Sequence, residues 1–520
     1  MNHIRAIFLG LCALLCLAGA AGADEPTWKV TESKVPGEVR NVLFGDFSGD
    51  GKDDFVTTYI MINPVSGKID RWAALFLFKD TGYRASPDQA WLLDGEASVL
   101  DVADLIPGNK GPELAYVSQQ GVRCYVFGER AFEVVPRTVL AEKSFFSFVD
   151  RAIAPTFSFT RDIDEDGVPE IILPNISGTG ARIFVRDEAG DYRPLQELAV
   201  PLIGEWGHHS ENEPILNRLS QMDLKGSIYF PKFFLQDFNA DGRKDILYAI
   251  NEQLFVFARQ DTQKPGEKLA FASEPVTYRF PAFTPREFLK LFRMRRITRI
   301  WVTDFNNDGH GDVYLTVASV KQLGLGGAYS RAYIYMNRGG HFLPEPDQTI
   351  EVDGLGETVW AYDLTGDGHR DLLFQTFPFN LINLARILIL GSVPVQYKIF
   401  AFDPATGKFD EDPVQEESIS YSFEPQANSQ MWAAYLFNQD FNGDGKLDLV
   451  QSTDQDELGI FLSDEDGWAQ EEIEIEATAS FFIYGRDING DGRSDLALRY
   501  ENIAAYNGTV TTILSEPAVR

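Results

Sequence analysis

The chain has 520 residues, of which 44% are hydrophobic and 13% aromatic, so it can form a packed core and extended disorder is excluded. It carries 77 acidic residues against 46 lysines and arginines, a formal net charge of −31. A chain this acidic repels phosphate backbones, which argues against nucleic-acid binding and favours cations or basic partners. The length fits about three ordinary domains or one large closed repeat architecture.

The first 23 residues have the features of an export signal. Arg5 precedes the apolar run 6–17, and Ala21-Gly22-Ala23 is a small-residue cleavage site. A membrane anchor would need about 20 apolar residues and different flanks. We therefore expect a signal peptide over 1–23, export to the periplasm or the cell exterior, and no transmembrane segment in the mature chain.

Cysteine usage points to metal rather than to disulfides. Cys12 and Cys16 lie in the predicted signal, so the mature chain keeps Cys124 alone and cannot form an internal disulfide. Because an exported protein without disulfides needs another stabilising crosslink, we expect bound metal to supply it.

One nine-residue pattern, Asp-x-[Asn/Asp/Ser/Thr]-x-Asp-Gly-x-x-[Asp/Glu], recurs along the rest of the chain. Seven full copies begin at Asp46, Asp162, Asp237, Asp304, Asp363, Asp440 and Asp487. An eighth copy, from Asp104 to Glu113, has lost its central acidic residues. The second position is always apolar and an apolar run such as Ile246-Leu247-Tyr248 follows, so the pattern predicts the connection between strands one and two of a repeated unit.

A second landmark completes each unit. A further β-rich run and a turn precede an aromatic residue, which we expect to open strand four; these aromatics are Tyr83, Phe132, Tyr192, Phe271, Phe342, Phe409 and Trp468. The last unit, after Asp487, has no fourth strand of its own, and Thr27–Thr31 resembles the missing one. The sequence thus predicts one all-β domain over 24–520, an eight-bladed β-propeller closed by its N-terminal strand, with seven blades as the alternative.

Three insertions, near 201–231, 281–299 and 377–395, interrupt the units. All three fall in connections on the face opposite the Asp-rich loops, and long loops gathered on one face of a rigid scaffold usually form its binding surface. Short helical insertions are expected there. Thr284–Arg299 has a capping box, an apolar face and a basic cluster. Asn380–Leu390 is apolar almost all round, and it either packs into the insert layer or is an exposed contact site for a partner or a membrane surface.

The basic cluster has two interpretations. Its arginines either pair with neighbouring acidic surface or bind an acidic protein or an anionic glycan. The residues expected to contact a partner in the second case are Arg286, Lys290, Arg293, Arg295, Arg296, Arg299 and Trp206.

The Asp-rich loops have the chemistry of calcium sites. Calcium takes six to eight oxygen ligands, and the pattern supplies oxygens at alternate positions, so that they converge; a glycine at position six allows the sharp turn. Position seven varies freely, as a backbone carbonyl ligand allows. The predicted ligands at positions one, three, five, seven and nine of the seven loops are Asp46, Ser48, Asp50, Lys52 and Asp54; Asp162, Asp164, Asp166, Val168 and Glu170; Asp237, Asn239, Asp241, Arg243 and Asp245; Asp304, Asn306, Asp308, His310 and Asp312; Asp363, Thr365, Asp367, His369 and Asp371; Asp440, Asn442, Asp444, Lys446 and Asp448; and Asp487, Asn489, Asp491, Arg493 and Asp495.

These loops resemble those of the FG-GAP/VCBS repeat β-propellers, a family related to the integrin α-chain head and to many exported bacterial proteins. The resemblance covers nearly all of 24–520 and implies calcium at up to seven structural sites. Two features depart from the family pattern: the second unit lacks its ligands, and the Phe-Gly…Gly-Ala-Pro signature is largely absent. Integrin-like ligand recognition is therefore not expected.

No nucleophile elbow, zinc-ligand or phosphate-loop motif is present, so no catalytic residue is assigned. We expect an exported, calcium-stabilised binding or scaffold module rather than an enzyme, whose partner is a protein or an acidic glycan at the insert face. The alternative is a lyase-like enzyme on an acidic polysaccharide, which would need a base near a groove on that face.

Overall fold

The computed structural model describes most of the chain after the predicted signal peptide. The described residues are 27–147, 154–208, 224–229, 232–250, 252–262, 269–280, 297–320, 328–356, 359–378, 383, 392–422, 435–463, 468, 472–480, 482–500 and 503–516. The predicted signal, most of the predicted helix 284–299, and all but Asn383 of 380–390 lie outside these ranges.

Within the described ranges, eight four-stranded antiparallel sheets follow one another, and they confirm the predicted eight-bladed propeller; the seven-bladed alternative is wrong. The first four blades are β2–β5 (Glu38–Gly45, Asp54–Ile62, Ile69–Phe76, Gln89–Leu92), β6–β9 (Val99–Ala103, Glu113–Ser118, Gly121–Tyr125, Arg137–Leu140), β10–β13 (Thr160–Arg161, Glu170–Pro174, Ala181–Arg186, Tyr192–Leu198) and β16–β19 (Lys232–Gln236, Asp245–Ile250, Gln253–Phe257, Val276–Arg279). A separate hairpin, β14 (Ile203–His208) and β15 (Leu224–Tyr229), precedes the fourth blade.

The second half repeats the arrangement. Its blades are β20–β23 (Ile297–Thr303, Asp312–Val320, Ala328–Tyr335, Gln348–Asp353), then β24–β26 with β29 (Val359–Tyr362, Asp371–Thr376, Ser392–Phe400, Gln415–Ser422), β30–β33 (Tyr435–Gln439, Asp448–Asp454, Glu457–Phe461, Ile473–Glu476), and β34–β36 with β1 (Phe482–Arg486, Asp495–Arg499, Thr509–Glu516, Thr27–Lys34). The small hairpin β27 (Phe402–Asp403) and β28 (Lys408–Phe409) and one 3-10 turn, Phe145–Ser147, complete the described elements.

The N-terminal strand closes the ring, as predicted. All eight residues of β1 pair with β36, from Thr27 opposite Glu516 to Lys34 opposite Thr509. The first and last described strands therefore share one blade, and each hydrogen-bonds to the other rather than to solvent. Closure of this kind removes the exposed edges that an open stack of sheets would present.

The first strand of each blade is innermost, because the first strands of neighbouring blades contact one another, as β2 and β6 do. In an antiparallel blade, the connections between strands one and two and between strands three and four lie on the same face. All seven Asp-rich loops therefore share one face, which we call the Asp-rich face. The described ends of the three insertions belong to connections between strands two and three or between blades, which lie on the opposite face, here called the insert face.

The apolar second residue of each Asp-rich loop joins its blade to the next one. Ring centroids lie 5.1 Å apart for Phe47 and Phe132, and 4.9 Å apart for Phe305 and Phe409. The same partnership recurs around the ring, each pair in one apolar cluster: Leu105 with Tyr192, Ile163 with Phe271, Phe238 with Phe342, Leu364 with Trp468, Phe441 with Trp28, and Ile488 with Tyr83. Since burying such a side chain stabilises by about 1.5–3 kcal/mol, these anchors contribute to every junction between blades.

The position of most of these aromatics corrects the prediction that they open strand four. Tyr192 does begin β13, but Tyr83, Phe132, Phe271, Phe409 and Trp468 lie earlier, in the connection between strands three and four. Several form a short antiparallel bridge there, such as Phe127 with Phe132. These short bridges hold the aromatic side chain over the Asp-rich loop of the neighbouring blade. Strand four begins after the bridge.

The insertions also differ from the expected short helices where they are described. The first insertion is a β-hairpin, β14 and β15, in which Trp206 pairs with Gly226. The end of the predicted helix 284–299 is extended: Ile297–Arg299 belong to β20 and pair with Ala318, Val317 and Thr316. β-branched Ile297 and Thr298 favour the strand, and the sheet supplies backbone partners that a helix end would lack.

Two further predictions concern cysteine and membrane segments. Cys124 is buried in blade two with a free thiol, and burial raises its pKa to about 12. Across the described ranges, no helical segment has the length and hydropathy needed to cross a bilayer.

Candidate functional site

Each Asp-rich loop is a tight hairpin organised by its first aspartate. In the first loop, Asp46 accepts hydrogen bonds from the backbone N–H groups of Asp50, at 2.9 Å, and Gly51, at 2.8 Å. The bond from the glycine at position six recurs in all seven loops at 2.7–3.0 Å. The carboxylate at position one therefore curls the backbone around itself.

Two residues of every loop adopt the left-handed conformation. The glycine at position six does so throughout, for example Gly51 at φ 87°. Position four does so as well, and it is glycine in four loops but Glu165, Ala240 and Asn307 in the other three. Sequence analysis missed position four; the recurrence of Gly49, Gly366, Gly443 and Gly490 at that place was the available signal.

The aspartate at position five turns toward position seven. One of its oxygens accepts the N–H of residue seven at 2.8–3.0 Å in all seven loops. In four loops, an asparagine at position three accepts the N–H of position five, as Asn442 does from Asp444 at 2.9 Å. Side-chain oxygens from positions one, three and five are thus gathered at the mouth of the hairpin.

The acid at position nine is buried and holds the blade together. In blade five, Asp312 accepts the N–H of Phe305 at 3.0 Å and, with its other oxygen, the N–H of Asn337 at 2.7 Å. The first bond ties strand two to its own loop, and the second ties it to the end of strand three. Burial raises the pKa of Asp312 to about 7, and that of Asp54 in blade one to about 6.

In the eighth copy, which is one residue longer and has lost its central acids, Glu113 takes the place of the acid at position nine. Glu113 accepts hydrogen bonds from the N–H groups of Leu105, at 2.7 Å, and Ile106, at 3.2 Å, and from the side-chain amide of Asn109. The same anchor therefore persists where the acidic centre has been lost. Retention of an acid at position nine reflects backbone anchoring and is not by itself a sign of metal.

The oxygen set at positions one, three and five fits a hard cation. In the second loop, carboxylate oxygens of Asp162, Asp164 and Asp166 lie within 4.8 Å of one another. Two buried oxygens at position three, Ser48 Oγ and Asp164 Oδ1, have no hydrogen-bond partner. Because a buried polar atom without a partner is costly, an ion at the mouth of these hairpins would satisfy both. Oxygen-only donors on a curled loop suit calcium better than zinc or copper.

Adjacent loops are linked around the Asp-rich face. The carbonyl of Asp237 accepts the N–H of Gly311 in the next blade at 3.2 Å, and Asp440 O accepts Ser494 N–H at 2.7 Å. Glu165 pairs with Lys244 across the junction of blades three and four, which lowers the pKa of the glutamate. Neighbouring loops on this face are therefore joined by direct contacts.

In the second loop, the predicted metal residues Asp162, Asp164 and Asp166 come together. Arg286, Lys290, Arg293, Arg295 and Arg296 lie outside the described ranges. Arg299 is on β20 and Trp206 is on β14, both belonging to insertions of the insert face.

Comparison with known proteins supports the repeat assignment. A family model described as an FG-GAP-like repeat matches residues 304–374 and 440–498, which contain the loops that begin at Asp304, Asp363, Asp440 and Asp487. This match and the eight-bladed ring confirm the resemblance to FG-GAP/VCBS propellers. No curated protein sequence matches the chain.

Similar solved structures are distant. A lectin of Agrocybe aegerita, described for its recognition of non-reducing terminal N-acetylglucosamine, is 14% identical over 85% of this chain and 95% of its own, with a TM-score of 0.40. The Dos1 propeller is 9% identical over 95% of this chain and 97% of its own, with a TM-score of 0.42. An α-L-arabinanase of Penicillium chrysogenum, complexed with arabinobiose, is 12% identical over 70% of this chain and 95% of its own, with a TM-score of 0.30. At such scores, we infer no ligand from these structures.

Proposed function

Starting from an eight-bladed propeller with FG-GAP-like repeats, we propose that the protein is an exported, calcium-stabilised binding module whose partner docks on the insert face. The observation that carries the calcium assignment is the pair of buried, unpartnered oxygens at position three, Ser48 Oγ and Asp164 Oδ1, each in a hairpin that gathers further oxygens. Positions one, three, five and nine, with the carbonyl of position seven, would hold the ion. Calcium would neutralise the carboxylates of each loop and fix its curl.

The closed ring of blades supports a role as a fixed binding scaffold rather than one that depends on a conformational change. Every blade is anchored to the next on the Asp-rich face, β1 completes the last blade by pairing with β36, and Ile488 of that blade packs with Tyr83 of blade one. A scaffold of this kind presents the long connections of the opposite face in a fixed arrangement. The predicted basic cluster of 284–299 belongs to that face and suits an acidic protein or an anionic glycan.

Calcium is tested by melting the protein in excess calcium, in excess magnesium and after chelation. Each ion that binds only the folded state at 1,000 times its Kd adds about 4 kcal/mol to the free energy of unfolding. We expect a large calcium-specific rise in Tm, reduced in an Asp162→Asn, Asp164→Asn variant. Equal melting in calcium and chelator would refute the structural role of the metal.

The partner face is tested by capture from envelope and culture medium, with both proteins and glycans analysed. A matched bait carries Arg293→Glu and Arg296→Glu. A partner lost with that bait supports docking on the insert face, whereas a partner retained by it contradicts that location. Shortening of a captured acidic glycan during incubation would favour the lyase-like alternative.

A further inference from the structure

A cavity of about 530 Å³ opens on the central channel between blades four, five and six. The inner strands β16, β20 and β24 form most of its wall, and Asp304 and Asn307 of the blade-five loop border its end. It therefore lies toward the Asp-rich face, away from the insertions. Its volume falls within the range of about 300–1,000 Å³ that is typical of small-molecule sites.

Two indole rings give the cavity flat apolar surfaces. Trp301 stacks on Tyr314 with ring centroids 6.1 Å apart and planes within 9°. Trp360, on the neighbouring inner strand, meets Phe437 edge-on at 4.6 Å. Both tryptophans are half-buried, so each ring is supported from behind and still borders the cavity. Fixed aromatic faces of this kind bind the apolar face of a flat or ring-shaped ligand at little entropic cost.

An amide and a hydroxyl side chain border the same space. The Gln236 amide and the Thr303 hydroxyl make no hydrogen bond within the described part of the protein, and both line the cavity. They supply donors and acceptors that suit ligand hydroxyl groups. Buried or half-buried polar groups that lack protein partners are the features by which a pocket selects its ligand.

Among the described residues that line the cavity, one is a cation. The guanidinium of Arg370 donates a long hydrogen bond of 3.3 Å to the carbonyl of Ala361 and has no carboxylate partner among the described residues. Asp304, which also borders the cavity, is turned into its own loop, where its two oxygens accept the N–H groups of Asp308 and Gly309. In a chain of net charge −31, an arginine that has no carboxylate partner is suited to a carboxylate from the ligand.

We propose that this channel cavity binds a carboxylate-bearing saccharide, such as the hexuronic acid unit of an acidic glycan. The sugar ring lies against Trp301 or Trp360, Gln236 and Thr303 bond its hydroxyl groups, and Arg370 pairs with its carboxylate. A neutral sugar would leave the guanidinium unused, and an aromatic acid would leave the amide and hydroxyl unused. This site is separate from the insert face and does not depend on the partner proposed there.

The test is isothermal titration calorimetry in calcium with digalacturonate, and with the corresponding neutral disaccharide as a control. We expect the acidic sugar to bind more tightly. An Arg370→Gln variant should lose about tenfold to a hundredfold in affinity for digalacturonate and nothing for the neutral sugar, because only the charged hydrogen bonds are removed. Trp360→Phe should weaken binding of both sugars.

Lys244→Gln is the matched control. Lys244 occupies the same eighth position in the blade-four loop, pairs with Glu165 at 2.5 Å, and does not line the cavity. Its substitution should leave sugar binding unchanged, as should Arg293→Glu with Arg296→Glu on the insert face. Absence of binding at millimolar digalacturonate, or equal affinity in wild type and Arg370→Gln, would overturn the proposal. Melting curves establish that each variant is folded. Arg370→Lys keeps the positive charge but not the planar set of N–H donors, so it should lose less affinity for digalacturonate than Arg370→Gln.

Discussion

Replacing Glu113 with alanine should destabilise the protein by about 3–5 kcal/mol, whether or not calcium is present. The Glu113 carboxylate is fully buried and accepts three hydrogen bonds, two of them from the backbone N–H groups of Leu105 and Ile106. Each N–H left without a partner costs about 1–3 kcal/mol, and the vacated space adds a cavity term. Glu113→Gln keeps one oxygen for the two backbone donors, so it should cost only about 1 kcal/mol.

The assay is urea unfolding followed by tryptophan fluorescence, in calcium and after chelation, with Asp312→Ala as the comparison. Asp312 makes the equivalent backbone bonds in a loop that keeps its acidic centre. Both alanine variants should lose stability, but only Asp312→Ala should also lose part of the response to calcium. A Glu113→Ala variant with wild-type stability, or one whose loss appears only with calcium, would refute the view that position nine is primarily a backbone anchor.

Three further outcomes are expected. Phe305→Ala should lower the free energy of unfolding in urea by about 3–5 kcal/mol, because this fully buried side chain joins blades five and six. A loss under about 1 kcal/mol would contradict the view that these apolar residues hold neighbouring blades together. Ala240→Gly should raise the unfolding free energy by about 1 kcal/mol, since Ala240 has φ 56°, and a lower Tm would contradict this. Burial raises the pKa of Asp101 to about 6, so the folded protein keeps this carboxyl protonated at pH values where the unfolded chain has lost the proton. The contribution of Asp101 to the free energy of unfolding therefore falls as pH rises from about 4 to 6. Asp101→Asn should therefore gain about 2–3 kcal/mol relative to wild type across that window in melts recorded at several pH values, and a constant difference would refute the shift.

Local chemistry explains why so much of the ring was predictable. An Asp-Gly hairpin flanked by apolar runs specifies a strand pair wherever it occurs, and eight spaced copies specify eight blades. The missing fourth strand after Asp487 and the unassigned strand at Thr27 then identify the closure, which β1 and β36 confirm. Within each loop, the first and fifth aspartates act on backbone groups a few residues away, so their arrangement follows from spacing alone.

Elements that depend on distant partners were predicted less well. The aromatics after strand three were expected to open strand four, yet Phe132 and Phe409 belong to short bridges that lie against loops of the preceding blade. The first insertion was expected to be helical and is a hairpin, β14 with β15. In both cases the preference of the local sequence was weak, and contacts across the fold decided the outcome.

The sequence by itself determined the number of blades, the order of their strands, the closure of the ring and the seven oxygen-rich loops, because each depends on spacing between residues that are near in the chain. Only the tertiary structure decided which side chains meet between blades. Phe305 reaches Phe409, and Trp301, Trp360 and Arg370 border one cavity, because curvature of the ring brings inner strands of separate blades together. No periodicity within one repeat records those distances, since they are set by how twisted sheets pack around a shared axis.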